Sequence, residues 1–382
     1  MKKYKMNLIT KFVLSGLLIL SFSSFNQKEI LLSNSKLNQY SKFILDMKSN
    51  GFITGNILVY ENGNIFFQSS DGLRSINPID SLGLNSQFRL ASVSKQFTGV
   101  AIMKLKQADK IDYDQKVNTI LTDFPYDNIT IKHLLLHTSG LADYIKIIKK
   151  KFVPQNSSKR YILGNNEILE IFYDDNPKLN FQPGEKFDYS NTGYLVLASI
   201  VEKVSKQHFR DFLKQNIFSP LGMNNTILYN YLEGDDTNMP NRVFGYTKGK
   251  KDYKLNDYHI VNDVRGDGGI YSTLNDLFKW NMALVNYKIL PKEYLDEAWS
   301  QGLLNDGEKT SYGFGWSIED KSKPKAVSHS GGWVGFVTHL YNEIDTKSGY
   351  IILTNNSTDT ALDIKNAIDS IRADVPYVLP KK

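Results

Sequence analysis

The chain has 382 residues, 41% of them hydrophobic and 23% charged, and this composition excludes a disordered, collagen-like or polytopic membrane protein. It contains no cysteine, which excludes a disulfide framework, a thiol nucleophile and Cys-based zinc or iron–sulfur sites. The net charge is +6, but four lysines lie in the first 23 residues, which hold no acid, so the remainder carries only +2. We therefore expect no nucleic-acid partner.

The amino terminus has the layout of a secretory signal peptide. Residues 1–11 are basic, residues 12–20 form an apolar run, and small residues follow at Ser21, Ser23 and Ser24. The run is shorter than the ~20 residues that span a bilayer. We expect residues 1–23 to be a signal peptide and the protein to be exported, either to the periplasm or as a secreted protein, with no stable membrane span after cleavage. An uncleaved amino-terminal anchor is the alternative.

The sequence pattern that follows the signal segment predicts a helix, a hairpin and a second helix. Apolar residues spaced by three and four over 35–49 predict the first helix. The segments 52–60 and 64–70 predict two strands joined by an Asn62-Gly63 turn. The run from 92 to about 108 predicts a mostly buried helix.

The remainder of the chain is mainly helical in pattern until strands return near its end. We predict strands at 312–318, 335–343 and 349–354 and a last helix over about 359–373. Strands at both ends with helices between them predict an α+β fold. Its antiparallel sheet is built from both termini and flanked by helices, and a mainly helical lobe is inserted. In the domain at 24–382, we place the α/β lobe at about 30–115 and 300–382, and the helical lobe at about 116–300.

Three short motifs carry chemistry. Ser92 and Lys95 are three apart, so on a helix they share a face, and a lysine inside an apolar helix is costly unless it is paired or functional. A lysine drawn out of water can act as a base, and a serine at a helix start lies beside free N–H groups. Tyr189 precedes a predicted helix at 193–204, where its hydroxyl can face a cleft. The third motif, 329–332, reads His-Ser-Gly-Gly, and its glycines permit close approach of a ligand.

The joint order of these motifs resembles the serine β-lactamase and penicillin-binding-protein-like superfamily, in the branch similar to class C β-lactamases, esterases and D-amino-acid peptidases. Other segments match the style of that family: HLLLHTSGL (133–141), YSNTGYLVLASIVEKVS (189–205), PLGMNNT (220–226) and GGIYSTLNDLFKW (268–280). The resemblance covers roughly residues 35–372. It implies a β-lactamase/transpeptidase-like fold and a serine hydrolase that works through an acyl-enzyme.

The resemblance also implies a role for each catalytic residue. Ser92 resembles the nucleophile that becomes acylated, and Lys95 resembles its activating partner. Tyr189 is similar to the tyrosine that shuttles protons between the serine and the leaving group. Asn191 resembles a residue that hydrogen-bonds either the substrate amide or the lysine.

The third motif implies the substrate-binding residues. His329, Ser330 and Gly331 stand where the family usually has Lys-Thr-Gly. The backbone N–H groups of Ser92 and Gly332 would form the oxyanion hole. Because a histidine replaces the usual cation, we expect a weaker pull on the carboxylate of a β-lactam.

Together these features predict an exported serine hydrolase that cleaves an ester or amide without a metal or cofactor. Its expected partner is a small-molecule or peptide substrate, and D-amino-acid-containing cell-wall peptides are candidates. Two alternatives stay open: a β-lactamase proper, and a penicillin-binding-like protein that binds or acylates without turnover. His133 and His137 are four apart but lack the glutamate of a zinc-binding H-E-x-x-H motif, so we expect a structural role for them.

Overall fold

The structure is a computed structural model that describes residues 27–151, 162–231, 239–249, 252–319, 324–357 and 360–381. The predicted signal peptide at 1–23 lies outside these ranges. In the described part of the chain, we find no helix that combines the length and the apolar character needed to cross a membrane.

Strands occur in two groups, one near each end of the chain, with short strands between them. They are β1 (Gly55–Glu61), β2 (Asn64–Asp71), β3 (Leu73–Ile76), β4 (Ile79–Ser81), β5 (Phe88–Arg89), β6 (Ile227–Leu228), β7 (Tyr246–Lys248), β8 (Tyr253–Leu255), β9 (Ile270–Ser272), β10 (Ser317–Glu319), β11 (Ala326–Trp333), β12 (Phe336–Glu343) and β13 (Ser348–Thr354).

Helices precede, separate and follow these strands. They are α1 (Gln27–Ser49), α2 (Lys95–Gln107), α3 (Ile131–Leu135), α4 (Tyr144–Lys151), α5 (Asn165–Asp175), α6 (Asn191–Ser205), α7 (Phe209–Leu213), α8 (Leu274–Val285), α9 (Lys292–Ala298) and α10 (Thr360–Arg372). Short 3-10 turns lie at Ala91–Ser94 and Val117–Thr119, and a π turn lies at Lys214–Phe218.

The main sheet joins the two ends of the chain. Its six strands run in the order β10-β11-β12-β13-β1-β2, and every neighbouring pair is antiparallel. Leu58 of β1 lies opposite Ile351 of β13, so the amino-terminal hairpin adds directly to the carboxyl-terminal strands. Asn62 and Gly63, both with positive φ, form the two-residue turn of that hairpin, as the sequence predicts.

Helices cover both faces of this sheet. Ile57, Val59 and Ile352 point to one face, where they pack against buried residues of α1 and α10. The neighbouring residues Leu58 and Ile351 point to the other face, toward the larger core that contains α2, α6 and α8. Because successive side chains of a strand alternate, a strand buried on both faces is apolar along its length, as β1 is.

The observed architecture confirms the predicted α+β fold, including its antiparallel sheet and the helices inserted between its strands. The predicted strand at 312–318 is wrong over most of its length, because only Ser317–Glu319 pairs with β11. Before it, the amide of Gly313 donates to the carbonyl of Trp316, and Gly315 has φ +104, so this segment turns instead of extending.

Candidate active site

Ser92 lies in a tight turn that connects a small three-stranded sheet, of order β5-β9-β6, to helix α2. Strand β5 pairs with β9 and leads into the 3-10 turn Ala91–Ser94, and α2 starts directly after it. Ala91, immediately before the serine, has φ +49, a conformation that non-glycine residues rarely adopt. Such strain persists only where the surrounding structure enforces it, and it is common at functional sites.

Lys95 is fully buried (0% exposed), and its amino group has three hydrogen-bonding partners. Its Nζ lies 3.2 Å from Ser92 Oγ, 2.8 Å from Asn191 Oδ1 and 3.0 Å from the carbonyl oxygen of Asp267. The amide and carbonyl oxygens only accept, so they take two of the N–H groups. The third direction faces the Ser92 hydroxyl, which can donate or accept. A proton can therefore pass between serine and lysine without movement of the lysine.

Asn191 is oriented by a carboxylate that the sequence motifs do not include. Asp143 Oδ2 accepts from the backbone nitrogen of Asn191 at 3.0 Å and from its side-chain nitrogen at 2.9 Å. Because a carboxylate only accepts, it holds the amide nitrogen and leaves the amide oxygen facing Lys95. Asp143 also accepts from the amide of Ile145 in the first turn of α4, so one side chain links that helix to the site.

Asp267 is a second carboxylate that sequence reasoning missed. Its carbonyl oxygen accepts from Lys95, and its Oδ2 accepts from the hydroxyl of Tyr144 at 2.9 Å. Burial raises the pKa of the Asp267 carboxyl, and the positive charge of Lys95 opposes that rise. Asp267 immediately precedes the segment GGIYST, so its position beside a matched motif was the available signal.

Tyr189 lies in the loop before α6, as its motif predicts. Its ring centroid is 4.8 Å from Lys95 Nζ, and the side chain is 37% exposed, so it borders both the buried lysine and solvent. Its ring also lies 4.2 Å from the ring of His137. His137 Nδ1 accepts from the amide of Ser190 at 3.1 Å, which ties the loop down.

The two histidines of HLLLH do not share a helix face. His133 belongs to α3, whereas His137 lies beyond its end with φ +57. Within the described ranges, no group of three or more His, Asp or Glu side chains is placed to hold a metal ion. His137 packs among aromatic rings, which fits the structural role expected for it.

His329 is buried beside Lys95 but does not open onto solvent. It is 4% exposed, and its Nε2 lies 2.7 Å from the hydroxyl of Tyr312. Burial, together with the positive charge of Lys95, lowers the pKa of His329 to about 3. The imidazole is therefore neutral at physiological pH and supplies no cation to a substrate.

The remaining residues of the third motif separate along strand β11. The Ser330 hydroxyl is 2.8 Å from Nδ1 of His339, on the sheet face covered by α1 and α10, so the structure does not bring that side chain to Ser92. The prediction of Ser330 as a substrate-binding side chain is therefore not supported by its placement. Alternation along the strand is the reason, because His329 takes the other face.

Gly331 and Gly332 bring the backbone of β11 against the Ser92 turn. A side-chain carbon at Gly331 would lie 2.1 Å from the carbonyl oxygen of Leu90 and 3.1 Å from the Ser92 nitrogen, so only glycine fits there. Gly332 has no such obstruction and lines the cavity that contains Ser92. The strand backbone and the nucleophile's own N–H are thus neighbours, as an oxyanion hole requires.

A cavity of about 170 Å³ opens at Ser92. Its lining residues include Asn191, Gly332, Tyr144, Asp267 and Arg89. Neither Tyr189 nor His329 is among its lining residues.

Known proteins resemble this chain over most of its length. The family model described as Beta-lactamase matches residues 42–372. Penicillin-binding protein 4* of Bacillus subtilis (strain 168) is 36% identical over 344 residues, which cover 86% of this chain and 74% of that protein. A D-aminopeptidase of Gluconobacter oxydans (strain 621H) is 22% identical over 304 residues, covering 79% of this chain and 55% of that protein.

A solved structure shares the fold. The penicillin-binding protein from Bacillus halodurans superposes with a TM-score of 0.73 at 27% sequence identity, covering 85% of this chain and 97% of that one. The family model and the 36% identical relative both span most of the sequence, and the range matched by the family model includes every motif described above. The chain therefore belongs to the beta-lactamase family and is a penicillin-binding-protein-like serine hydrolase.

Proposed function

We propose that this protein is an exported hydrolase in which ester or amide substrates acylate Ser92 and water then releases the acyl group. The observation that carries the proposal is the amino group of Lys95, buried and held against the Ser92 hydroxyl by two fixed acceptors. A serine hydroxyl is a weak nucleophile at neutral pH unless a base takes its proton. Lys95 is placed to be that base.

In the proposed reaction, Ser92 Oγ attacks the substrate carbonyl carbon while its proton moves to Lys95 Nζ. The N–H groups of Ser92 and Gly332 hold the negative charge that develops on the carbonyl oxygen. The bond to the leaving group then breaks, and the leaving group takes up a proton through the hydroxyl of Tyr189. Water repeats the steps in reverse order and frees the serine.

Amides or esters of D-amino acids, such as cell-wall peptides, are the proposed substrate class. Relatives named as a penicillin-binding protein and as a D-aminopeptidase support this choice. The neutral, buried His329 makes a β-lactamase the weaker candidate, because it offers no cation for the carboxylate of a β-lactam. Acylation without turnover is the second candidate, and the name of the Bacillus subtilis relative favours it.

A substrate comparison tests the proposal. We would measure kcat/KM for p-nitrophenyl butyrate, a peptide ending in D-Ala-D-Ala and a cephalosporin with the wild-type protein and with Ser92→Ala. Ser94→Ala is the matched control, because Ser94 lies in the same turn but its hydroxyl accepts from the amide of Ile270. Turnover that survives in Ser92→Ala would refute the proposal. A stable adduct on wild-type protein without turnover would favour the binding-protein alternative.

Export is proposed from the sequence of residues 1–23. We expect amino-terminal sequencing of protein recovered outside the cytoplasm to find a start near Ser23 or Ser24. A mature chain that still begins at Met1 would favour the uncleaved anchor.

A further inference from the structure

Arg89 is a buried cation whose hydrogen-bonding capacity is not met. The residue is 3% exposed, and its Nη2 has no hydrogen-bond partner among the described residues. Its other contacts are long: Nε lies 3.3 Å from the Tyr271 hydroxyl, and Nη1 lies 3.5 Å from Asn262 Oδ1. In the described ranges, no carboxylate forms an ion pair with Arg89. Its guanidinium therefore has no counter-ion among the residues that the structure describes.

The surroundings stabilise the charge of Arg89 without neutralising it. The guanidinium carbon lies 5.3 Å from the ring centroid of Tyr229 and 5.4 Å from that of Tyr271. Aromatic faces attract a cation, but a buried charge remains costly until an anion or a full set of acceptors completes it. An unpartnered N–H of a buried arginine is thus a ready position for an anionic ligand.

Arg89 and the nucleophile line the same cavity. Arg89 and Ser92 both line the 170 Å³ cavity and are three residues apart, which limits their backbone separation to about 10 Å. An anion held by Arg89 would therefore belong to a molecule whose reacting carbonyl lies only a few bonds away. Asp267 is the carboxylate among the lining residues, and its negative charge is stabilised by the Tyr144 hydroxyl and by the positive charge of Lys95.

The position of the cavity indicates which part of a substrate it would take. Tyr189, which we propose to serve the leaving group, is not among the lining residues. On that assignment, the leaving group lies toward Tyr189, and the acyl part is the portion that enters the cavity with Arg89. This step rests on the proposed function of Ser92.

We infer that Arg89 binds a carboxylate on the acyl part of the substrate and so selects acidic acyl groups. The substrate class is an ester or amide whose acyl chain carries a carboxylate a few bonds from the scissile carbonyl, as in a dicarboxylic half-ester or an acidic peptide residue. The planar guanidinium suits this ligand because it can offer two parallel N–H donors to one carboxylate.

Two esters of equal chain length test the inference: p-nitrophenyl hydrogen glutarate, with a terminal carboxylate, and p-nitrophenyl valerate, with a methyl group in its place. After subtraction of the uncatalysed rates, we expect wild-type kcat/KM to favour the glutarate ester by about tenfold or more. In Arg89→Gln that ratio should fall by about tenfold, and in Arg89→Lys it should be intermediate because the charge remains without the two-pronged geometry.

Arg242→Gln is the matched control. Arg242 is also buried and stacks on Tyr229 and Tyr271, but it pairs with Asp257 at 2.6 Å and does not line the cavity. We expect this variant to keep the wild-type ratio. An equal fall in Arg242→Gln would overturn the inference, since it would trace the effect to the packing of the tyrosines.

The ratio of the two esters measured with the wild-type protein tests the inference even if Arg89→Gln does not fold. A wild-type ratio near one, or in favour of valerate, overturns the inference while the hydrolase proposal stands. Hydrolysis of neither ester would instead overturn the proposed function itself. An unchanged ratio in a folded Arg89→Gln, checked by thermal melting, would also refute a role for Arg89.

Discussion

Lowering the pH from about 7 to about 4.5 should destabilise the wild-type protein more than the variant His329→Gln. In the unfolded chain an imidazole binds its proton near pH 6.5, whereas burial keeps His329 neutral until about pH 3. Between these values the unfolded state takes up a proton that the folded state refuses. The contribution of neutral His329 to the free energy of unfolding is therefore fully present above about pH 6.5. It declines as the pH falls, by ~1.4 kcal/mol for each pH unit. Over about two units the loss is ~3 kcal/mol.

Urea unfolding at the two pH values measures this loss directly. Glutamine retains a polar group that can hydrogen-bond the Tyr312 hydroxyl, but it does not titrate. The free energy of unfolding of His329→Gln should therefore fall by about 3 kcal/mol less than that of the wild type. His137 and His339, also buried, remain in both proteins and cancel in the difference. His208→Gln, at an exposed position, is the control and should behave as wild type. Equal losses in wild type and His329→Gln would refute this prediction, because they would show that the folded protein protonates His329.

Three further predictions concern the site. Asp143→Asn should lower kcat by about tenfold, because Asn191 loses the charged acceptor that orients its amide, and steady-state kinetics with a neutral ester would measure it. Gly331→Ala should cost about 1–3 kcal/mol of stability through overpacking, whereas Gly332→Ala, with no heavy atom within 4 Å of the added carbon, should keep the wild-type melting temperature. Because His329 carries no charge, kcat/KM for p-nitrophenyl butyrate should exceed that for a cephalosporin by at least about tenfold at neutral pH.

Local patterns predicted the main sheet well. The hairpin around Asn62-Gly63 and the strands near 335–343 and 349–354 have alternating or continuous apolar runs bounded by turn residues. For each strand, the apolar run and its turn residues lie within a few residues of one another, so a short stretch of sequence predicts it. The strand predicted over 312–318 was wrong over most of its length, although the aromatic residues of this segment are buried as they would be in a strand. Gly315 instead takes a positive φ and packs against the start of α2, a tertiary contact that no local pattern contains.

The residues of the candidate active site also differ in whether the sequence could predict them. The pair Ser92 and Lys95 could be predicted because its members are three apart on one turn, and Tyr189 because a recognisable motif surrounds it. Asp143 could not be predicted, since a lone carboxylate has no signature, and the one signal for Asp267 was its position next to the matched segment GGIYST. Their contacts with the motif residues span 48 residues to Asn191 and 172 to Lys95.

The third motif shows what residue identity alone leaves open. The sequence places His329 and Ser330 together, yet consecutive residues of a strand point to opposite faces. Only His329 lies on the side of the nucleophile, while Ser330 bonds His339 on the far face. The alternation rule would have predicted that only one of the two side chains reaches the cleft, once the segment was assigned to a strand.

Active-site labelling followed by intact-protein and peptide mass measurement tests the central claim most directly. With a fluorophosphonate probe, we expect one adduct on the wild-type protein, located on the peptide that contains Ser92. Ser92→Ala should show none, and Lys95→Ala should label far more slowly because the serine lacks its base. The residual turnover of the double variant should be no lower than that of Ser92→Ala, since the two residues act as one unit. An adduct on another residue, or undiminished labelling of Ser92→Ala, would contradict the account.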